Sequence, residues 1–94
     1  MTKEQILDYL SEHKAEFREK YRVNRIGLFG SFAKGTANEE SDIDLLVDMP
    51  SDLDRFYDLK ERLEAQLSKK VDLGYESALR ELVRRQIQDE TIYV

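Results

Sequence analysis

The stretch from Ile26 to Val47 constrains this chain more than any other. An apolar run, Ile26-Gly27-Leu28-Phe29, leads into Gly30-Ser31 and a polar loop. Ser41-Asp42-Ile43-Asp44 then runs into Leu45-Leu46-Val47. Successive side chains of a strand point to opposite faces, so Asp42 and Asp44 share one face while Ile43 and Leu45 take the other. Apart from its aspartates the second run is apolar throughout, as suits a strand covered on both faces. Two carboxylates on one face repel each other, and a divalent cation is the simplest species that reconciles them.

The bulk numbers narrow the class. Ninety-four residues make one domain, 1–94, with a small core. Hydrophobic residues are 40% and charged residues 37% of the chain, a soluble globular composition. The net charge of −5 argues against a free-standing nucleic-acid binder, which shows a basic face. There is no cysteine, which excludes disulfides and thiolate metal sites. No apolar run reaches the roughly 20 residues of a membrane span, and Met1-Thr2-Lys3-Glu4-Gln5 does not read as a signal peptide. A cytoplasmic protein without a membrane partner is the expectation.

Periodicity supplies the elements. Thr2 with Gln5 three positions on forms a capping box, and Ile6, Tyr9, Leu10, His13 and Phe17 recur at helical spacing, which predicts a helix over 3–20. Val23 to Phe29 reads as a strand ended by Gly30, and Lys34 to Glu40 as a polar loop. Ile43 to Val47 reads as a second strand, closed by Pro50. Ser51 or Asp52 can cap a helix over 53–68, with Leu53, Phe56, Leu59, Leu63 and Leu67 on one stripe. Lys70 to Tyr75 reads as a third strand. Ser77 can cap a last helix whose stripe is Leu79, Leu82, Val83 and Ile87. Helix–strand–strand–helix–strand–helix implies an α+β (α/β) fold, a small mixed β-sheet packed with helices.

Three features can carry chemistry. At Gly30-Ser31, glycine lets the backbone pass close to a ligand, and a serine hydroxyl with backbone N–H groups can hold phosphate oxygens; an ordinary turn after a strand fits the same pair. Asp42 and Asp44 have the spacing to share Mg²⁺, which prefers carboxylate oxygens and leaves room for substrate phosphates; a solvated acidic strand start is the alternative. Asp72, between Val71 and Leu73, faces away from both. It joins the same cluster if its strand lies beside the second, and otherwise is an edge charge that discourages aggregation. Lys34 is a cation that could meet phosphate charge or be a solvated loop lysine. His13, the one histidine, lies by the apolar stripe of the first helix and reads as structural. Arg80, Arg84 and Arg85 form a basic strip on the last helix, either solvated or in contact with a partner, and Phe56, Tyr57 and Leu59 read as core and rim. Tyr93 and Val94 are apolar positions available to an assembly.

The whole segment from Gly30-Ser31-Phe32-Ala33-Lys34-Gly35 through Ser41-Asp42-Ile43-Asp44-Leu45-Leu46-Val47 resembles the signature of the DNA polymerase β-type nucleotidyltransferase superfamily. The layout is similar to its minimal nucleotidyltransferases, the MNT family, over most of the chain. The resemblance implies the polymerase β-type fold. It implies that Gly30 and Ser31 contact a nucleotide triphosphate, with Gly35 and Ser41 as supporting loop positions. It implies that Asp42 and Asp44 bind metal, and that Asp72 is the third acidic residue that helps to activate the attacking hydroxyl. The implied cofactor is Mg²⁺, as two ions, with ATP as substrate.

The resemblance further implies an antitoxin, encoded beside a HEPN-domain toxin and forming a hetero-oligomer with it. Such an antitoxin transfers AMP from ATP to a tyrosine of the toxin, an RNase, and silences it. The acidic balance and the short chain, with no room for a second acceptor-binding domain, agree with a protein acceptor. Two other readings stand beside it. One is an adenylyltransferase acting on a small molecule such as an aminoglycoside. The other is a non-catalytic antitoxin that occludes its partner.

Overall fold

Thr2 begins the first helix, α1 (Lys3–Tyr21), through a reciprocal cap. Its hydroxyl accepts from the Gln5 amide at 3.2 Å, and its own amide donates to Gln5 Oε1 at 2.9 Å. Each bond satisfies a backbone or side-chain group that the helix terminus would otherwise leave unpaired. Left-handed Arg22 ends the helix. The coordinates are a computed structural model that describes residues 1–94. The remaining elements are β1 (Arg25–Phe29), α2 (Gly30–Lys34), β2 (Ile43–Asp48), α3 (Leu53–Leu67), β3 (Val71–Tyr75), a 3-10 turn (Glu76–Ala78), α4 (Glu81–Glu90) and β4 (Ile92–Tyr93).

The strands form one mixed sheet in the order β3-β2-β1-β4. β2 pairs antiparallel with β1 and parallel with β3, and β1 pairs antiparallel with β4. A parallel neighbour cannot be reached through a tight turn, and α3 is the crossover between β2 and β3. Asp52 caps α3 by accepting from the Arg55 amide at 3.3 Å.

The two faces of the sheet differ. One carries Ile26, Leu28, Ile43, Leu45, Val47, Val71 and Leu73, which form a buried cluster with Ile6, Leu10 and Phe17 of α1 and Phe56, Leu59, Leu63 and Leu67 of α3. Alternation sends Asp44, Leu46 and Asp48 of β2 to the other face, where α4 and the 3-10 turn form a thinner second layer. No helix is long and apolar enough to cross a membrane.

Several expectations change. Residues 30–34 form a short helix instead of entering a loop directly, and Ile92–Tyr93 form a fourth strand. Tyr93 and Val94 are therefore half-buried against the sheet rather than exposed; the Val94 amide donates to the Ile26 carbonyl at 3.2 Å. Leu53, the first residue of α3, is 65% exposed, because the stripe becomes buried only from Phe56 onward. Tyr57 is exposed as well. Ser77 does not cap the last helix: it lies in the 3-10 turn, and α4 starts after Arg80 without a side-chain cap. The predicted stripe of α4 is not buried. Leu82 is 80% exposed and Val83 44%, with Leu79 and Ile87 only half-covered. On this face β2 contributes Asp44, Asp48 and a single apolar side chain, Leu46, and polar contacts help to hold α4. Gln88 donates to Glu76 Oε1, which also accepts from Arg25.

Gly27 lets β4 close onto β1. A Cβ there would overlap Thr91 Cγ2 and stand 2.8 Å from Tyr93 Cδ1. Gly27→Ala is expected to destabilise the fold by about 1–3 kcal/mol through overpacking, and to expose the β4 amides. Thermal denaturation and hydrogen exchange at Val94 measure the two effects.

Candidate active site

Strand register assembles the acidic residues. Asp44 stands directly across from Asp72 in the parallel β2–β3 pair, and across from Phe29 in the antiparallel β1–β2 pair. Residues opposite each other in a ladder share a face, so the Asp44 and Asp72 side chains project side by side from the thinly covered face. The Ile43 amide donates to the Lys70 carbonyl at 3.0 Å, and the Val71 amide to Glu64 Oε2 at 3.0 Å; both hold this register. Asp42 lies two residues before Asp44, just ahead of β2, and is exposed. Its Oδ2 is 4.0 Å from Lys70 Nζ.

Gly30 brings the turn after β1 onto this cluster. Its φ of +73° is a conformation that glycine adopts without steric cost. A Cβ there would collide with Asp44 Oδ2 and lie 2.9 Å from Asp44 Cγ. Backbone and carboxylate therefore pack together with no room for another atom. Ser31 follows within α2, and its carbonyl accepts from the Thr36 amide at 3.0 Å, which folds the loop back on the helix. Farther along, the Asn38 amide donates to Ser41 Oγ at 2.9 Å and the Ser41 amide to the Asn38 carbonyl at 3.1 Å. Lys69 Nζ donates to the Glu39 carbonyl at 2.7 Å. These bonds shape the loop that delivers Asp42 and Asp44.

Burial pushes the Asp44 carboxyl above the usual aspartate range, and the charges of Asp72 and Asp42 push it further in the same direction. Burial is the larger cause, and the neighbouring carboxylates add to it. The three carboxylates do not converge as a closed cage, and no group of three His, Cys, Asp or Glu side chains is arranged to hold a metal ion. The donor set still suits Mg²⁺. That ion takes hard oxygens, commonly one or two carboxylates, and completes its shell with water and substrate phosphates. The paired Asp44 and Asp72 offer such oxygens, and a cation between them would offset the repulsion that adds to burial at Asp44.

Other candidates lie elsewhere. His13 is on α1, across the sheet, where Nδ1 is 2.8 Å from the Tyr9 carbonyl oxygen and the ring lies against Tyr9 and Phe17. Arg85 pairs with Glu81 at 2.9 Å on its own helix, Arg80 is exposed and Arg84 half-buried. A cavity of about 550 Å³, lined by Phe32, Leu67, Lys69 and neighbours, contains none of the three aspartates. Sequence reasoning missed two features on this side of the sheet: the ion pair of Lys34 with Glu90 and the buried Glu76 between Arg25 and Gln88. Opposite charge was their only signal, and in a chain this charged it identifies no pair.

A family model described as "Nucleotidyltransferase domain" matches residues 10–94. The protein adenylyltransferase MntA of Thermococcus cleftensis is 43% identical over 97 residues, spanning 100% of this chain and 97% of that protein. A Methanocaldococcus jannaschii relative, provisionally named a protein adenylyltransferase, is 38% identical over 96% of this chain and 95% of its own length. Among solved structures, one provisionally described as a minimal nucleotidyltransferase superposes with a TM-score of 0.83 at 34% identity, covering 98% of this chain and 95% of that one. A toxin–antitoxin complex with AMP-PNP shares the fold, with a TM-score of 0.72 at 24% identity over 88% of this chain and 69% of that one.

The raised Asp44 fixes the sign of a pH effect. A folded-state pKa above the unfolded value means that ionised Asp44 opposes folding at neutral pH, and that the opposition fades as pH falls toward the unfolded value near about 4. Asp44→Asn is expected to raise the melting temperature at pH 7 in metal-free buffer, with the gain disappearing below about pH 4. Melting curves of both proteins across that range provide the measurement.

Proposed function

Because this chain belongs to the nucleotidyltransferase domain family, we propose that it is a Mg²⁺-dependent protein adenylyltransferase that serves as the antitoxin of a HEPN-type toxin–antitoxin pair. It transfers AMP from ATP to a tyrosine hydroxyl of its partner, an RNase toxin, within a hetero-oligomer. The observation that carries the reading is Asp44 opposite Asp72 on a thinly covered sheet face, with the Gly30 backbone packed against Asp44. The naming of the 43% identical relative as a protein adenylyltransferase supports a protein acceptor.

In this mechanism Gly30 and Ser31 hold the β- and γ-phosphates through backbone N–H groups and the serine hydroxyl. Lys34, the one cation of α2, adds charge to the same side. Asp44 and Asp72, with Asp42 beside them, would hold Mg²⁺, as two ions, which when bound would supply neutralisation of phosphate charge. Asp72 accepts the proton of the incoming tyrosine hydroxyl. The phenolic oxygen forms a bond to the α-phosphorus in line with the breaking α–β bridging bond, and pyrophosphate leaves. Positioning and charge stabilisation supply most of the rate.

An acceptor that is itself a protein needs an open approach, which the exposed Asp42 and Asp72 and the half-exposed Asp44 provide. Incubation with Mg²⁺, ATP and the HEPN-domain protein encoded beside this gene is expected to add one or more AMP units to a tyrosine of that protein, read by intact mass and peptide mapping. Asp44→Ala is expected to lower the rate by about a thousand-fold, the scale of losing a major electrostatic stabiliser. A toxin still neutralised by the Asp42→Ala, Asp44→Ala double variant without any mass gain would replace catalysis by occlusion. Mass gain on an aminoglycoside alone would move the acceptor to a small molecule.

A further inference from the structure

Lys34 does not face solvent alone. Its Nζ is 3.4 Å from Glu90 Oε2, in the last turn of α4. Both side chains are partly solvated, Lys34 at 54% and Glu90 at 38%, so the pair is reachable by another anion. Lys34 stands three residues after Ser31, one turn along α2, which puts it on the same side of that helix as the serine. The contact also ties α4 to α2. α4 has no buried residue, and its last turn is also held to the sheet through Gln88, Glu76 and Arg25.

We propose that Glu90 is an internal competitor for Lys34, a carboxylate that occupies the lysine until the triphosphate of a nucleotide displaces it. The inference rests on the reading of Gly30-Ser31 as a phosphate cradle and deepens it. A triphosphate carries more charge than one carboxylate and forms stronger charge-assisted bonds to an ammonium group. The exchange moves no proton and breaks no covalent bond. It frees the Glu90 side chain from α2 while Gln88, in the same turn, keeps the helix on the sheet. By linkage the coupling is reciprocal: nucleotide frees Glu90, and a partner that draws Glu90 away from Lys34 tightens nucleotide binding. The acceptor protein could thereby prime the site that modifies it.

The test is titration calorimetry of the full chain with Mg²⁺–ATP, and separately with inorganic tripolyphosphate, at low salt. Glu90→Gln keeps shape and removes the competing charge. It is expected to tighten both ligands by roughly two- to five-fold, the scale of an exposed ion pair, with no loss of melting temperature. Lys34→Gln is expected to weaken both, and in that background Glu90→Gln is expected to change nothing. Unchanged or weaker binding in Glu90→Gln overturns the proposal. So does an equal gain in the Lys34→Gln background, which would make Glu90 a remote repulsive charge. A wild-type protein that binds neither ligand removes the phosphate cradle itself and the competition with it, whereas normal wild-type binding with no effect at Glu90 removes only the competition.

Discussion

The pairing of β2 with β1 on one side and β3 on the other sets the position of each candidate functional group. Ile43, Leu45 and Val47 are fully buried on one face, and the alternating Asp44, Leu46 and Asp48 point the other way. The antiparallel neighbour brings Phe29, and so the Gly30 turn, to Asp44. The parallel neighbour brings Asp72. A slip of one residue would move the apolar set to the open face and bury the aspartates, so the core that stabilises the sheet also fixes the acidic cluster.

The second face follows from the same constraint. A helix that sealed it with apolar side chains would bury three carboxylates, at a large desolvation cost. The face is instead covered by α4, through Glu76, Arg25 and Gln88, with the Arg25 guanidinium 4.0 Å above the Tyr93 ring. This polar clamp is incompletely satisfied: Glu76 Oε2 and the Tyr93 hydroxyl are buried without partners. Burial, and then the Glu76 charge, push the Tyr93 hydroxyl above its ordinary range. Few buried apolar contacts and a partly satisfied network mark α4 as the element of lower local stability, as suits a helix at the edge of a site that must admit a large acceptor.

The parts legible in the sequence were those written in short-range patterns. The Thr2–Gln5 capping box, the α1 stripe of Ile6, Leu10 and Phe17, the Asp52 cap and the Phe56–Leu67 stripe each depend on neighbours within a few turns. The aspartate alternation was legible for the same reason, since a strand has a period of two. The α2 helix was not, because five residues beginning with glycine carry no periodicity. The β4 strand was not, because two residues become a strand only where Gly27 leaves space for Thr91 and Tyr93. The α4 stripe misled, because amphipathic spacing shows that a helix has an apolar side and not that anything covers it.

The sequence by itself determined the helical stripes, the side of β2 on which its aspartates lie, and the Gly-Ser to Asp-x-Asp segment that resembles nucleotidyltransferases. These are consequences of local geometry and side-chain chemistry. Only the tertiary structure decided that β3 lies beside β2 with Asp72 opposite Asp44, that Gly30 packs against Asp44 and that Glu90 holds Lys34. Each of these depends on strand order, register or helix docking, in which residues far apart in the chain are brought together by a core to which most of them do not belong.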